Sequence, residues 1–118
     1  MKIKIFESNI PQEEMRQLAE ISYKDMVKGV VDLDSEWVAL GGELHADAEE
    51  LLLEKGSQQS SLWGFNIYPD KLGDDRIRYT SFINIRPHDG NADIEVKDVN
   101  IRSKIKLIVF CKLGWTDG

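Results

Sequence analysis

The chain has 118 residues, about the length of a single domain and enough to bury one hydrophobic core. Hydrophobic residues make up 42% of it and charged residues 31%, a balance that excludes intrinsic disorder. The net charge of −6 disfavours nucleic-acid binding, which draws most of its energy from Lys and Arg placed against phosphates. No apolar run approaches the ~18 residues that are needed to cross a membrane.

The single cysteine, Cys111, cannot form an intramolecular disulfide. The N-terminal stretch contains no long apolar run and so lacks the pattern of a secretory signal. Both features predict a cytoplasmic protein. We expect one domain over residues 1–118, with a radius of gyration of roughly 13 Å.

A strand and a helix are predicted at the N-terminus. Isoleucines alternate with lysines over residues 2–6, which is typical of a short half-buried strand. Pro11 suits the first turn of a helix, where its missing N–H is not needed, and apolar residues then recur at intervals of three and four. The pattern predicts an amphipathic helix over residues 11–27 that is stopped by Gly29.

A hairpin is predicted next, because the apolar runs 30–33 and 36–40 are joined by Asp34 and Ser35. The turn lacks the glycine that two-residue hairpin turns usually contain.

A second helix is predicted over residues 46–55. Asp47 would cap its N-terminus as part of a capping box with Glu50, and Gly56 would end it. Its buried stripe is predicted to consist of Leu44, Ala48, Leu51 and Leu52.

Two longer strands are predicted in the second half of the chain. SLWGFNIYP (61–69) and RIRYTSFINIRP (76–87) alternate between a more apolar and a more polar face. Each strand ends at a proline, which cannot donate to a strand ladder. Asn66 lies on the polar face of the first strand, and Asn84 and Arg86 lie on the polar face of the second.

The last element is predicted to be a helix. The β-branched run over 105–109 favours a strand by propensity. Against this, residues of apolar character recur at helical spacing at Ile101, Ile105, Ile108 and Cys111. Asp98 stands where an N-cap is expected and Gly114 where a helix ends. In this interpretation Cys111 is a small core residue.

The predicted order of elements is therefore β-α-β-β-α-β-β-α. Hairpins separated by helices imply an α+β fold in a single domain. We expect a mainly antiparallel sheet with the helices packed on one face.

The stretch GGELHADAE (41–49) is the first candidate site. If the chain is still extended up to residue 45, Glu43 and His45 lie on one face of it, and Asp47 follows at the start of the helix. These groups could hold a divalent metal or perform acid–base chemistry, with His88 as a fourth ligand or general base. The simpler interpretation is structural, because Asp47 has a sufficient role as a helix cap and E-x-H-x-D is not an established ligand spacing.

Polar side chains on the two later strands form the second candidate site. Asparagine is unfavoured in strand interiors, yet Asn66 and Asn84 lie in neighbouring predicted strands. Arg86 could bind a carboxylate or phosphate through two hydrogen bonds, and His88 and Asp89 lie near the same end. A polar strand surface that faces solvent is the alternative interpretation.

Five basic residues and one acid lie between positions 97 and 113. The ordinary interpretation of such a run is the solvated face of a helix. A nucleic-acid accessory surface is the alternative, although the acidic character of the whole chain disfavours it.

The motifs GGELHADAEELLLEKGS, LWGFNIYP and INIRPHDGN, followed by a basic C-terminal helix, resemble a family of small bacterial proteins of unknown function. The resemblance runs over most of the chain and involves three motifs in order. It implies a compact single domain of about this length, and it implies no activity, cofactor or site residue. The last helix departs from the family pattern because it is more apolar over 107–111, which is compatible with a homodimer interface.

We expect a small cytoplasmic binding domain for a small polar or anionic ligand, or for a protein partner such as a second copy of the chain. Its site would consist of the side chains of Glu43, His45, Asn66, Asn84 and Arg86, brought within ~6 Å of one another around a concave surface. The alternative is a metal-assisted hydrolase that uses Glu43, His45 and Asp47. The sequence identifies no cofactor and no catalytic residue.

Overall fold

Within residues 2–116, which a computed structural model of the protein describes, three α-helices and five β-strands follow one another in the predicted order. The elements are β1 Ile3–Phe6, α1 Gln12–Ser22, β2 Val27–Asp32, β3 Val38–Gly41, α2 His45–Lys55, β4 Leu62–Ile67, β5 Ile77–Arg78 and α3 Val99–Leu113. This is the predicted α+β fold, and its radius of gyration is 12.9 Å. None of the helices described in this region combines the length and the apolar character needed to cross a membrane.

The five strands form one antiparallel sheet in the order β1-β3-β2-β4-β5. The predicted hairpin is the β2–β3 pair, with Val31 opposite Val38 next to the turn. Oδ1 of Asp32 accepts hydrogen bonds from the backbone N–H groups of Asp34 and Ser35, at 2.8 and 3.2 Å. A side chain therefore stabilises this turn, which explains why it can form without a glycine.

The helices cover both faces of the sheet, so the prediction that they pack on one face is wrong. α1 and α3 pack on the face that carries Val31 and Phe65, and α2 packs on the opposite face against Val30 and Ala39. Val30 and Val31 are successive residues of β2 and both are fully buried. Since successive side chains of a strand point to opposite faces, a strand of this kind needs cover on both sides.

The first helix is shorter than predicted and ends at Ser22 instead of residue 27. The N–H groups of Tyr23 and Lys24 both donate to the carbonyl of Ala19, at 3.1 and 2.7 Å. Lys24 adopts a left-handed φ of 69°, which turns the chain out of the helix.

Gly29 does not stop the first helix but lies inside β2, where Val27 already pairs with Ile67 of β4. A Cβ at position 29 would lie 2.4 Å from Cζ of Phe65, closer than any real contact. The glycine therefore allows the Phe65 ring to lie directly on the backbone of β2.

The second helix begins at His45, one residue earlier than predicted, and the predicted capping box does not form. Leu44 is the N-cap and provides no side-chain hydrogen bond. Asp47 is the third residue of the helix, where its carboxylate interacts favourably with the helix dipole. Gly56 ends the helix in a left-handed conformation with a φ of 116°, as predicted.

The buried face of α2 consists of His45, Ala48 and Leu52. Leu44 and Leu51 belong to the predicted stripe but are 58% and 36% exposed. His45, Ala48 and Leu52 are spaced by three and four residues, so they share one side of the helix that begins at residue 45. The interior therefore contains the imidazole of His45 in place of a leucine side chain.

The predicted strand 76–87 is a strand only at Ile77–Arg78, where it pairs with β4. Beyond this point the chain forms a 3-10 turn over Phe82–Asn84, and Oγ of Ser81 accepts a hydrogen bond from the N–H of Ile83 at its start. The prediction of a strand is therefore correct for Ile77 and Arg78 and wrong for the rest of the segment. The reason lies in the hydrogen bonds of the Asn84 side chain.

The third helix is confirmed, with Oδ1 of Asp98 accepting a hydrogen bond from the N–H of Asn100 at 2.8 Å and Gly114 in a left-handed conformation. The core role of Cys111 is wrong, because this residue is exposed. The buried face follows the i, i+4 line of Ile105 and its successors at 109 and 113, which places residue 111 on another side of the helix.

Candidate functional site

A shallow cleft on the α2 face of the sheet brings together two of the predicted site residues, His45 and Asn66, and its volume is about 260 Å³. Its polar lining residues, which we call the polar wall, are Lys28, His45, Asn66, Thr80 and Ser81. Its apolar wall consists of Met26, Phe82 and Ile94. We call this the His45–Asn66 cleft.

The imidazole of His45 is 8% exposed and approaches β4 from the first turn of α2. Its Nε2 lies 2.8 Å from the carbonyl oxygen of Phe65. Because a carbonyl can only accept, Nε2 carries the proton, and Nδ1 of the neutral ring carries the lone pair.

Burial lowers the pKa of His45 below its ordinary value, and the positive charge of Lys28 lowers it further. The carbonyl of Phe65 and the nearby side chain of Asn66 favour the protonated ring and act in the opposite direction, but burial outweighs them. The ring is therefore neutral at pH 7, and its Nδ1 is a hydrogen-bond acceptor.

The side chain of Asn66 is also 8% exposed. Its Nδ2 donates to the carbonyl oxygen and to Oγ1 of Thr80, at 3.2 and 3.1 Å. The carbonyl of Thr80 can only accept, which determines which end of the amide is the nitrogen. Oδ1 is then buried with no hydrogen-bond partner among residues 2–116, a situation that costs about 1–3 kcal/mol.

Lys28 supplies positive charge to the cleft from β2, where it pairs directly opposite Asn66. Its Nζ lies 5.3 Å from the centre of the Tyr23 ring. It takes part in none of the salt bridges formed within residues 2–116. The ammonium group is therefore available to an anion.

Gly64 of β4 allows the other elements of the cleft to approach the sheet. A Cβ at this position would lie 2.5 Å from Cβ of Ser81 and 3.2 Å from Cδ2 of His45. The glycine in LWGFNIYP is thus the sequence feature that lets the α2 helix and the 81–84 turn meet over one strand.

Asn84 is fully buried and completes the edge of β4. Its Oδ1 accepts from the N–H of Gly64 at 2.8 Å, while its Nδ2 donates to the carbonyls of Gly64 and Ile94 at 3.0 and 3.2 Å. One side-chain amide thus makes the two hydrogen bonds that a neighbouring strand would make. Asn84 is not among the residues that line the cleft.

Asn91 has a related role that the sequence interpretation missed. It is 4% exposed, its Nδ2 donates to the carbonyl of Asn84 at 2.9 Å, and its Oδ1 accepts from the N–H of Lys97 at 2.9 Å. An asparagine after a glycine in a polar loop gives only a turn signal, so its buried contacts could not be predicted from local sequence.

Arg86 lies away from the cleft, with its guanidinium 4.0 Å from the centre of the Trp63 ring. Nη1 donates to the carbonyl of Gln59 at 2.7 Å, and Nη2 donates to the carbonyl of Leu62. These contacts hold the 56–61 loop and the start of β4. Nε of Arg86 is buried and has no hydrogen-bond partner within residues 2–116.

Glu43 is exposed, and its backbone carbonyl accepts a hydrogen bond from the hydroxyl of Tyr23 at 2.8 Å. Its side chain is not part of the cleft lining. Of the five predicted ligand-binding residues, the structure brings together His45 and Asn66 and places Glu43, Asn84 and Arg86 elsewhere.

The predicted metal ligands do not form a cluster. Glu43 and Asp47 are exposed, whereas His45 is buried against β4. Over residues 2–116, no three His, Cys, Asp or Glu side chains are arranged so that they could hold a metal ion. The geometry therefore gives no support to the metal-assisted hydrolase.

Residues 4–111 match the family described as a protein of unknown function, DUF5674. Searches of the curated proteins and of the solved structures found no match. The matched region leaves out only the first three and last seven positions and contains the whole His45–Asn66 cleft. The chain belongs to the DUF5674 family, as the resemblance of its motifs implied.

Proposed function

We propose that the protein is a small cytoplasmic binding domain whose His45–Asn66 cleft takes a small polar ligand. The observation that carries the proposal is Oδ1 of Asn66, a buried acceptor that has no partner among residues 2–116 and belongs to a residue that lines the cleft. Buried polar groups are nearly always paired, so an unpaired one at a cleft indicates a group that a ligand completes.

His45 supports the same interpretation. It is a second polar side chain that is more than nine-tenths buried in the cleft wall, and its neutral ring presents an acceptor. Two buried acceptors next to the ammonium group of Lys28 give the cleft a defined polarity. Few polar groups in fixed positions within a partly apolar cleft are typical of small-molecule sites.

Two other grooves within residues 2–116 lack this feature. A groove of about 290 Å³ beside β1 contains Lys4 and Glu14, which form an ion pair with each other. A groove of about 570 Å³ at the end of α3 is larger, but neither Asn66 nor Arg86 lines it, and these residues carry the two buried side-chain atoms that have no partner within residues 2–116. Cavity size alone therefore does not select the site.

In our proposal the cleft of one chain takes the ligand, and the expected homodimer stays a prediction. In our proposal His45, Asn66 and Lys28 are the polar contacts. Asn84 and Arg86 support the turn and the strand edge on which the cleft depends. Glu43 lies outside it.

A screen of small polar fragments by NMR tests the proposal. We expect binders to shift the backbone amides of Lys28, His45, Asn66 and Phe82 in the isotope-labelled protein. Asn66→Ala should abolish these shifts, because it removes the acceptor. Asn100→Ala removes an exposed asparagine of α3 and should leave them unchanged.

The proposal fails if no fragment shifts the cleft amides, or if folded Asn66→Ala binds as the unaltered protein does. Because Asn66→Ala also removes two hydrogen bonds to Thr80, its spectrum is first compared with that of the unaltered protein. If it is unfolded, Lys28→Gln replaces it and should weaken the binding of anionic fragments.

A further inference from the structure

The lining of the His45–Asn66 cleft also indicates the chemical class of its ligand. We infer that the cleft takes a small aromatic carboxylate that carries an uncharged N–H or O–H donor. This inference rests on the proposed function and goes beyond it, because each wall of the cleft selects a different part of the molecule.

The acceptors in the polar wall require a donor on the ligand. Oδ1 of Asn66 has no partner within residues 2–116, and its orientation is determined by the two bonds from Nδ2 to Thr80. Nε2 of His45 donates to Phe65, so Nδ1 presents a lone pair. An acceptor on the ligand would leave Asn66 Oδ1 unpaired, whereas a hydroxyl or amino group completes it.

The charge beside these acceptors requires that the donor be neutral. Lys28 belongs to the same wall and forms no ion pair within residues 2–116. A protonated amine on the ligand would be repelled by this ammonium group, whereas an anion would be attracted. The lining contains no arginine, which phosphate sites commonly use, so one lysine favours a carboxylate over a phosphate.

The apolar residues that line the cleft require an apolar surface on the ligand. Phe82 is 83% exposed and Ile94 is 40% exposed, which leaves apolar area in contact with water. Phe82 begins a 3-10 turn whose geometry is held by Ser81 at its start and by the buried amide of Asn84. The ring is therefore presented at the edge of the cleft by a well-supported turn, and an aromatic ligand can stack on it.

The volume of the cleft matches a ligand with one ring. About 260 Å³ is below the roughly 300–1,000 Å³ that is typical of sites for larger molecules. A single six-membered ring with a carboxylate and one donor is of suitable size.

Four matched probes test this inference by NMR titration at pH 7: 3-aminobenzoate, benzoate, 3-aminobenzamide and benzylamine. 3-Aminobenzoate has the ring, the carboxylate and an uncharged donor, so we expect it to bind most tightly. Benzoate lacks the donor and 3-aminobenzamide lacks the charge, and each should bind about tenfold more weakly. Benzylamine is a cation and should bind most weakly of the four.

Two variants identify the groups responsible. Lys28→Gln should abolish the preference for 3-aminobenzoate over 3-aminobenzamide. Phe82→Ser should weaken all ring-containing probes, whereas Leu72→Ser, which removes another exposed apolar side chain, should leave the binding unchanged.

The outcomes separate this inference from the proposed function. If polar fragments shift the cleft amides but 3-aminobenzoate binds no better than benzoate or benzylamine, the ligand class is wrong and the binding site stands. If no fragment of any class shifts these amides, the proposed function itself is wrong. If Lys28→Gln retains the preference for the carboxylate, the assignment of the anion to Lys28 is overturned.

Discussion

At the level of single residues, the buried polar side chains divide by whether their hydrogen bonds are complete. Asp32, Asn84 and Asn91 make contacts that hold backbone turns and strand edges. Asn66 differs, because its nitrogen is paired and its oxygen is not. The residue types therefore do not indicate which of these buried side chains supports the backbone and which has an unpaired atom.

The pH dependence of stability should show that His45 is buried in its neutral form. Its pKa is lowered by burial and by Lys28, so below about pH 6.5 the unfolded ring binds a proton that the folded ring does not. The free energy of unfolding should therefore decrease as the pH falls from 7 through 6.5, until the pH reaches the pKa that His45 has in the folded protein.

Urea unfolding of His45→Gln at pH 7, 6 and 5 measures this contribution. The variant should lose part of the decrease that the unaltered protein shows over this range. The control His88→Gln replaces an exposed histidine and should retain it. An identical pH dependence in the unaltered protein and in His45→Gln would contradict the prediction.

At the level of elements, the edge of β4 explains why the predicted strand 76–87 is short. A strand there would have paired with β4 along its length, but Asn84 bonds to both backbone groups of Gly64 and takes that place. Its partner is 20 residues away, so no local pattern contains the information. The 3-10 turn that results presents Phe82 and closes one side of the cleft.

Asn84→Leu should be strongly destabilising, although the side chains are similar in size. It leaves the N–H and the carbonyl of Gly64 without these partners in a buried position, and we expect a loss of about 3 kcal/mol in the free energy of unfolding. Chemical denaturation measures the loss, and the Gly64 amide should exchange its hydrogen faster. Asn100→Ala on the surface of α3 is the control, and a loss below about 1 kcal/mol for Asn84→Leu would show that the edge is supported in another way.

At the level of the whole molecule, the charges of the basic segment 97–113 are partly balanced by acids nearby. Lys106 forms a salt bridge with Asp74, and Lys97 lies 3.6 Å from both Asp93 and Glu95. The basic C-terminal segment therefore interacts with the acidic surface of the same domain, and the net charge of the chain remains −6.

We expect no measurable binding of DNA or RNA even at low salt, where phosphate contacts are strongest. Mobility-shift measurements at low and at physiological ionic strength test this expectation. A basic domain that binds DNA non-specifically serves as the positive control. A shift that appears at low salt and disappears at higher salt would show that the α3 surface binds nucleic acid.

The sequence by itself determined the order and type of the elements, because periodicity, caps and glycine stops are local signals. Asp98, Gly56 and Gly114 mark helix ends where the structure has them. The second helix was predicted to within one residue for the same reason.

Only the tertiary structure decided how the elements pack and which polar residues meet. The two-sided burial of β2 required helices on both faces of the sheet. The contact of His45 with Phe65 and that of Asn84 with Gly64 each join residues 20 positions apart, so they depend on how α2 and the 81–84 turn pack on β4. The cleft therefore arises from long-range packing, since hydrophobic periodicity specifies which face of an element is buried but not what it is buried against.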